Sequence, residues 1–393
     1  MLQVVKGFQL ATCNAKQSNP KHLPHLFSFL FYICFMKRTL LLLLIMGVHA
    51  LVSSQTNWDN VGIEVRPKVG FLLPHRAVMT HLLTGHSVGG ELGFVKQTSG
   101  KKEWEEAYRL PRYGASLYFA DYGNPLVVGQ SLGAFGFIEL PMVKYHSWSL
   151  NGKLTAGVGV VTKKFDLVEN PKNNAIGSHT NALVIIGVNV NKQFKQSTVS
   201  LGIDMTHLSN GATVLPNLGL NVPYLSLGYT RYFNPLLVEQ GVIRPDVLQF
   251  TRHALLTSAL FSMKQIYPTG GRTYFVGSGS VIYHHQFRRK VALDFAIDFI
   301  SNQSHADEIS EPVSQWDIFQ LGLYVGYVLP VNQFDYLLGM GYYMKNSINP
   351  NGPVYHRFGF RYRFRENMFF NLSIKAHWGK ADYFEYGIVY QWR

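Results

Sequence analysis

From about residue 61 onward the chain is built of short segments in which apolar and polar side chains alternate. Val199, Leu201, Ile203 and Met205 are interleaved with Thr198, Ser200, Gly202, Asp204 and Thr206, a period of two that gives a strand one apolar face. The same period runs through Val291, Leu293, Phe295, Ile297 and Phe299, set between Ala292, Asp294, Ala296 and Asp298, and again through Phe319, Leu321, Leu323, Val325 and Tyr327. The pattern predicts strands near residues 61–72, 85–98, 111–122, 127–144, 147–161, 180–194, 198–209 and 222–233. Eight strands are about the number that closes a small barrel. A weaker segment at 234–251, containing Pro235 and Pro245, is followed by further strands near 253–267, 273–287, 291–301, 316–329, 334–345, 355–364, 369–377 and 383–392.

Composition decides what the apolar rows touch. The chain is 47% hydrophobic and 14% aromatic, yet beyond residue 55 no apolar run approaches the ~18–20 residues of a membrane helix. Ala254 to Met263 is the longest such run and is far too short. Alternating segments rich in Gly, Tyr and Phe between polar turns are the signature of a transmembrane β-barrel. Asp294 and Asp298 would be costly against lipid and should therefore point into a wet interior. The last segment ends on Tyr386, Ile388, Tyr390 and Trp392, an aromatic alternation suited to a membrane wall. A soluble β-sandwich would instead carry polar outward rows.

The expected fold is therefore all-β, a transmembrane antiparallel β-barrel of about sixteen strands. One wide barrel and two eight-strand units both fit this pattern. The single barrel is favoured because residues 234–251 have strand-like apolar content and no flexible Gly/Ser composition. A short echo links Ala296-Ile297-Asp298-Phe299-Ile300-Ser301-Asn302 to Gly202-Ile203-Asp204-Met205 through Ser209-Asn210. Duplication and generic strand similarity explain it equally well.

The N-terminus has the features of export. Met36-Lys37-Arg38, the apolar run to Ala50 and the small residues at Val52-Ser53-Ser54 form a secretory signal, making Gln55 the expected first mature residue. The expected organisation is a leader and signal at 1–54 (signal proper 36–54), a first barrel half at 55–233, a connector at 234–251 and a C-terminal barrel half at 252–393. Cys13 and Cys34 both fall in the leader, so the mature chain is left without disulfide or cysteine-nucleophile chemistry.

Cleavage also changes the charge. Removing Lys6, Lys16, Lys21, Lys37 and Arg38 from 36 basic residues leaves 31 against 23 acidic ones, or about +8 instead of +13. With no basic helix, zinc spacing or clustered patch, nucleic acid is not the expected partner. A basic excess spread over turns suits an anionic, phosphate-bearing lipid surface.

The candidate chemistry lies at the end of the seventh strand. His207 and Ser209 continue the apolar row of Val199 to Met205, and Asn221 falls in the same phase on the eighth strand. A base and a hydroxyl at i and i+2 of a strand are neighbours on one face, as proton transfer requires. If odd strands run outward from short periplasmic turns, His207 rises roughly 20 Å, near the far edge of an apolar band about 25 Å tall. The pair then sits on the barrel exterior at the outer leaflet.

His207-x-Ser209-Asn210 followed by Pro216-Asn217-x-Gly219 resembles the active-site signature of the PagL family of lipid A 3-O-deacylases, also called acyloxyacyl hydrolases. The resemblance covers residues 61–233 and its specific part lies within 207–221. It implies an outer-membrane β-barrel of a Gram-negative bacterium, with lipid A or lipopolysaccharide as substrate and no metal or organic cofactor. The implied roles are nucleophile for Ser209, general base for His207 and oxyanion donor for Asn217. Where the family places a carboxylate to orient the His, this chain has Asn221. An amide oxygen can fix the imidazole tautomer but cannot stabilise imidazolium by charge, so the expectation is either a slower enzyme or a different orienting group.

Plainer readings exist for each residue. A His at a barrel interface can be a belt residue, and Ser209-Asn210-Gly211 can be only a turn. Asn210 and Gly211 are expected to form the turn. His284-His285 and Asp307-Glu308 do not suggest a metal site, because adjacent His residues point to opposite strand faces. The alternative to a carboxylic ester hydrolase is a non-catalytic porin-like or structural barrel.

Overall fold

The computed structural model describes residues 58–237, 252–308, 313–348 and 351–392. The expected leader and signal, and positions 238–251 of the expected connector, lie outside them. The first eight strands are β1 (Val61–Phe71), β2 (His86–Gln97), β3 (Arg112–Asp121), β4 (Gln130–Tyr145), β5 (Trp148–Val161), β6 (Thr180–Gln193), β7 (Ser197–Ser209) and β8 (Leu220–Tyr232). The second eight are β9 (His253–Gln265), β10 (Thr273–Arg288), β11 (Val291–Asn302), β12 (Phe319–Val331), β13 (Phe334–Lys345), β14 (Val354–Arg365), β15 (Met368–His377) and β16 (Lys380–Trp392). The strand expected from Trp316 begins at Phe319, because Gln315–Ile318 form a short helix capped by Ser314 and Asp317.

The favoured single wide barrel is not what forms. Each set of eight closes on itself: β8 returns to β1, with Val65 opposite Tyr229, and β16 returns to β9, with Tyr386 opposite Phe261. β1 takes the free edge of β8, so β9 has nothing there to extend. Closure pairs the backbone groups that an open edge would leave bare in lipid.

The side chains supplied to the two interiors explain why eight strands suffice. An eight-strand barrel is just wide enough for side chains to fill it. The first interior buries Arg66, Lys68, Arg112 and Lys153 against Glu64, Glu91, Glu139 and Asp204. Arg112 spans Glu139 at 2.8 Å and Glu64 at 3.1 Å, while Lys68 reaches Glu91 at 2.6 Å and Asp204 at 2.9 Å. In the second interior Arg357 bridges Asp298 and Glu385, and Arg361 pairs with Asp294 at 2.7 Å. Buried charges hold only when paired, and removing one partner costs about 3–5 kcal/mol. The aspartates do point inward, as the alternation required, but into packed ion-pair networks.

The outward rows are apolar and largely exposed: Ile203 is 67% and Leu201 55% accessible. The barrels meet where this exposure stops. Ile138 of β4 packs with Tyr108 and Val331, and the Tyr108 hydroxyl donates to the Pro330 carbonyl. The Gln265 amide donates to the Ala212 carbonyl at 2.8 Å. The internal echo does not mark equivalent positions, since its two copies lie on β7, seventh strand of the first barrel, and β11, third strand of the second.

Candidate active site

β7 and β8 bring the predicted residues together through register alone. Antiparallel pairing places His207 directly opposite Asn221, on the face that carries Ile203 and Met205 outward, while Leu208 turns into the first barrel's core. Ser209 Oγ lies 2.9 Å from His207 Nε2, and His207 Nδ1 lies 2.6 Å from Asn221 Oδ1. With its amide oxygen on Nδ1, Asn221 can only accept, so Nδ1 carries the proton and Nε2 is left free to accept from the Ser209 hydroxyl. That is the tautomer a general base requires.

A fourth residue, which the sequence pattern does not reveal, fixes the Asn221 amide. The chain leaving β1 stays on β8 for one more bond, from the Leu73 amide to the Asn221 carbonyl at 2.8 Å, which delivers His75 to the site. Asn221 Nδ2 donates to His75 Nδ1 at 3.0 Å. Burial and the neighbouring Arg76 push the His75 imidazole below its ordinary value, against a hydrogen bond to Leu73 that pulls the other way. A neutral ring can accept this bond. His75 lies 146 residues from Asn221, and no local pattern in the sequence ties the two together.

The loop between β7 and β8 places Asn217. Asn210 organises the turn: its side chain donates to Ser178 Oγ at 2.8 Å and to the Val214 carbonyl at 2.9 Å. The Asn210 amide donates to Asn217 Oδ1 at 2.9 Å, which sets the orientation of the Asn217 carboxamide. Its Nδ2 is buried with no hydrogen-bond partner among the described residues, an unfavourable position for an amide that serves structure alone. Gly219 has φ +82°, and a Cβ there would lie 2.7 Å from His207 Cε1. Only glycine lets the loop close over the imidazole in that conformation.

His75, His207, Ser209 and Asn217 share a cavity of about 210 Å³. A base poised on a hydroxyl, an amide that orients the base and an unpaired amide donor beside them can carry out acyl transfer. His284 instead pairs with Asp294 inside the second barrel at 2.7 Å, while His285 meets His253. No group of metal-ligating side chains forms among the described residues.

The model of the family described as lipid A 3-O-deacylase (PagL) matches residues 88–230, and that described as acyloxyacyl hydrolase, C-terminal domain, matches residues 252–393. No curated protein matches the chain. Among solved structures, a mutant of Rh. blastica porin is 10% identical, with 84% of this chain and 99% of the porin covered at a TM-score of 0.19. The siderophore receptor PirA from Pseudomonas aeruginosa is 7% identical, with 86% and 82% covered at a TM-score of 0.22. Superpositions this loose add nothing to the fold described above.

Proposed function

As a member of the lipid A 3-O-deacylase family, this protein is an outer-membrane lipid A deacylase, and we propose that it releases one ester-linked acyl chain by a Ser209/His207 mechanism. The exposed apolar rows of both barrels suit a wall set in the outer membrane of a Gram-negative bacterium, with lipopolysaccharide as the substrate beside it. The observation that carries the mechanism is the line Ser209–His207–Asn221, both contacts made by one imidazole.

In the reaction, the Ser209 hydroxyl proton passes to His207 Nε2 as Oγ bonds to the ester carbonyl carbon. Negative charge collects on the carbonyl oxygen, toward which the unpaired Asn217 Nδ2 is the available donor. The ester C–O bond breaks, and His207 returns the proton to the departing sugar oxygen. Water, deprotonated by the same imidazole, then cleaves the acyl-serine and frees the fatty acid. Asn221 holds the imidazole and His75 holds Asn221; these two are positioning residues. The serine acyl transfer written here calls for no cofactor.

Mass spectrometry of lipid A from outer membranes carrying this protein or its Ser209→Ala variant tests the reading, with membrane insertion checked by heat-modifiable mobility. Loss of one ester-linked chain is expected with the intact protein and not with the variant, whose rate falls at least ~10³-fold. Identical lipid A from both, with both inserted, would sink the proposal.

A further inference from the structure

The outward row of β15 breaks the pattern of its barrel. Phe370 is exposed at 39%, as a wall residue should be, but Ile374 and Ala376 further along the same row are only 7% and 6% accessible. This end of the strand borders the first barrel's site. The cavity that holds Ser209 and His207 is lined on its other side by Phe358 of β14 and by Ile374 and Ala376. Arg76 from the first barrel and Lys380 from the second line the same cavity. Neither forms an ion pair among the described residues.

We propose that the outer wall of the second barrel is half of the substrate site, with Phe358, Ile374 and Ala376 forming the slot for the acyl chain to be cleaved and Lys380 joining Arg76 to receive an anionic headgroup. The proposal rests on the deacylase reading for the identity of the occupant. A hydroxyl nucleophile that faces an apolar wall from another barrel has its ester's hydrocarbon tail directed onto that wall. Apolar side chains there favour methylene groups, each buried methylene changing affinity about fourfold. Two cations on opposite sides of the same cavity favour a phosphorylated lipid over a neutral one. The second barrel, which carries no copy of the His/Ser pair, would then select substrate.

The wall can be tested without relying on turnover. Full-length Ser209→Ala protein in detergent–lipopolysaccharide micelles would be irradiated with a phosphorylated glycolipid bearing a diazirine on its acyl chain, and the adducts mapped by peptide mass spectrometry. Adducts concentrated between Phe358 and Ala381, reduced at least tenfold by adding Ala376→Trp and unchanged by Phe370→Trp on the same row, are expected. Adducts spread evenly over both barrel exteriors, confined to the first barrel, or insensitive to Ala376→Trp would overturn the proposal. In protein with Ser209 intact, Ala376→Trp should also lower the ratio of long-chain to short-chain ester cleavage at least tenfold. If the intact protein cleaves no ester yet the adducts map to β14 and β15, the deacylase reading fails and the slot stands; if it cleaves ester while the adducts fall elsewhere, the slot fails and the deacylase stands.

Discussion

In the proposed mechanism Asn221 stands where a carboxylate would stabilise the imidazolium, and its neighbours suggest how an amide fills part of that role. Its oxygen must face His207, and His75 enforces this by accepting from the amide nitrogen. A neutral hydrogen bond is worth about 1 kcal/mol, so His75→Ala should lower kcat roughly fivefold with little change in KM. His75→Gln, which keeps an acceptor, should restore most of the rate; equal loss in both variants would assign His75 a packing role only. Removing the unpaired donor in Asn217→Ala should lower kcat by about 10²–10³-fold, measured by release of fatty acid from lipid A. His207, Ser209 and Asn221 were legible because a period of two fixes which side chains share a face. Asn217 came from the resemblance of Pro216-Asn217-x-Gly219 to the family signature, not from the periodicity. His75 was not legible, because its contact exists only once β1 closes against β8.

At the scale of elements, strand register does most of the positioning and the β7–β8 loop does the rest. Gly219 shows the demand this places on the loop, since a methyl group there meets the imidazole and a positive φ is strained for any other residue. Gly219→Ala should leave the barrel folded, with heat-modifiable mobility retained, while activity falls about 10²-fold, as small misplacements of reacting groups do. Intact activity would mean that the loop can yield without moving His207. The strands themselves were readable nearly throughout because each has one apolar row. Phe319 marks the exception, where a short helix at Gln315–Ile318 interrupts a row that looks continuous in sequence.

At the scale of the molecule, the count of sixteen strands was legible and their division was not. Alternation says which face is apolar but nothing about which edge each strand takes, and the apolar content of 234–251 misled for that reason. The interiors decide it: both are filled by paired charges, leaving no wide pore. Planar bilayers containing the purified protein should therefore show no porin-like steady conductance, and large stable openings would restore the channel reading. The meeting of the barrels has one more effect. Gly211 touches Phe384 so closely that a Cβ would lie 2.3 Å from the ring, and Gln265 of β9 grips Ala212 and Leu215 at 2.8 and 2.9 Å. These contacts fall on the loop that carries Asn217, so the loop is held by both barrels at once. In the proposed mechanism, a change in how the two barrels pack would reach the Asn217 amide through this loop, so the second barrel bears on the chemistry without contributing a reacting group.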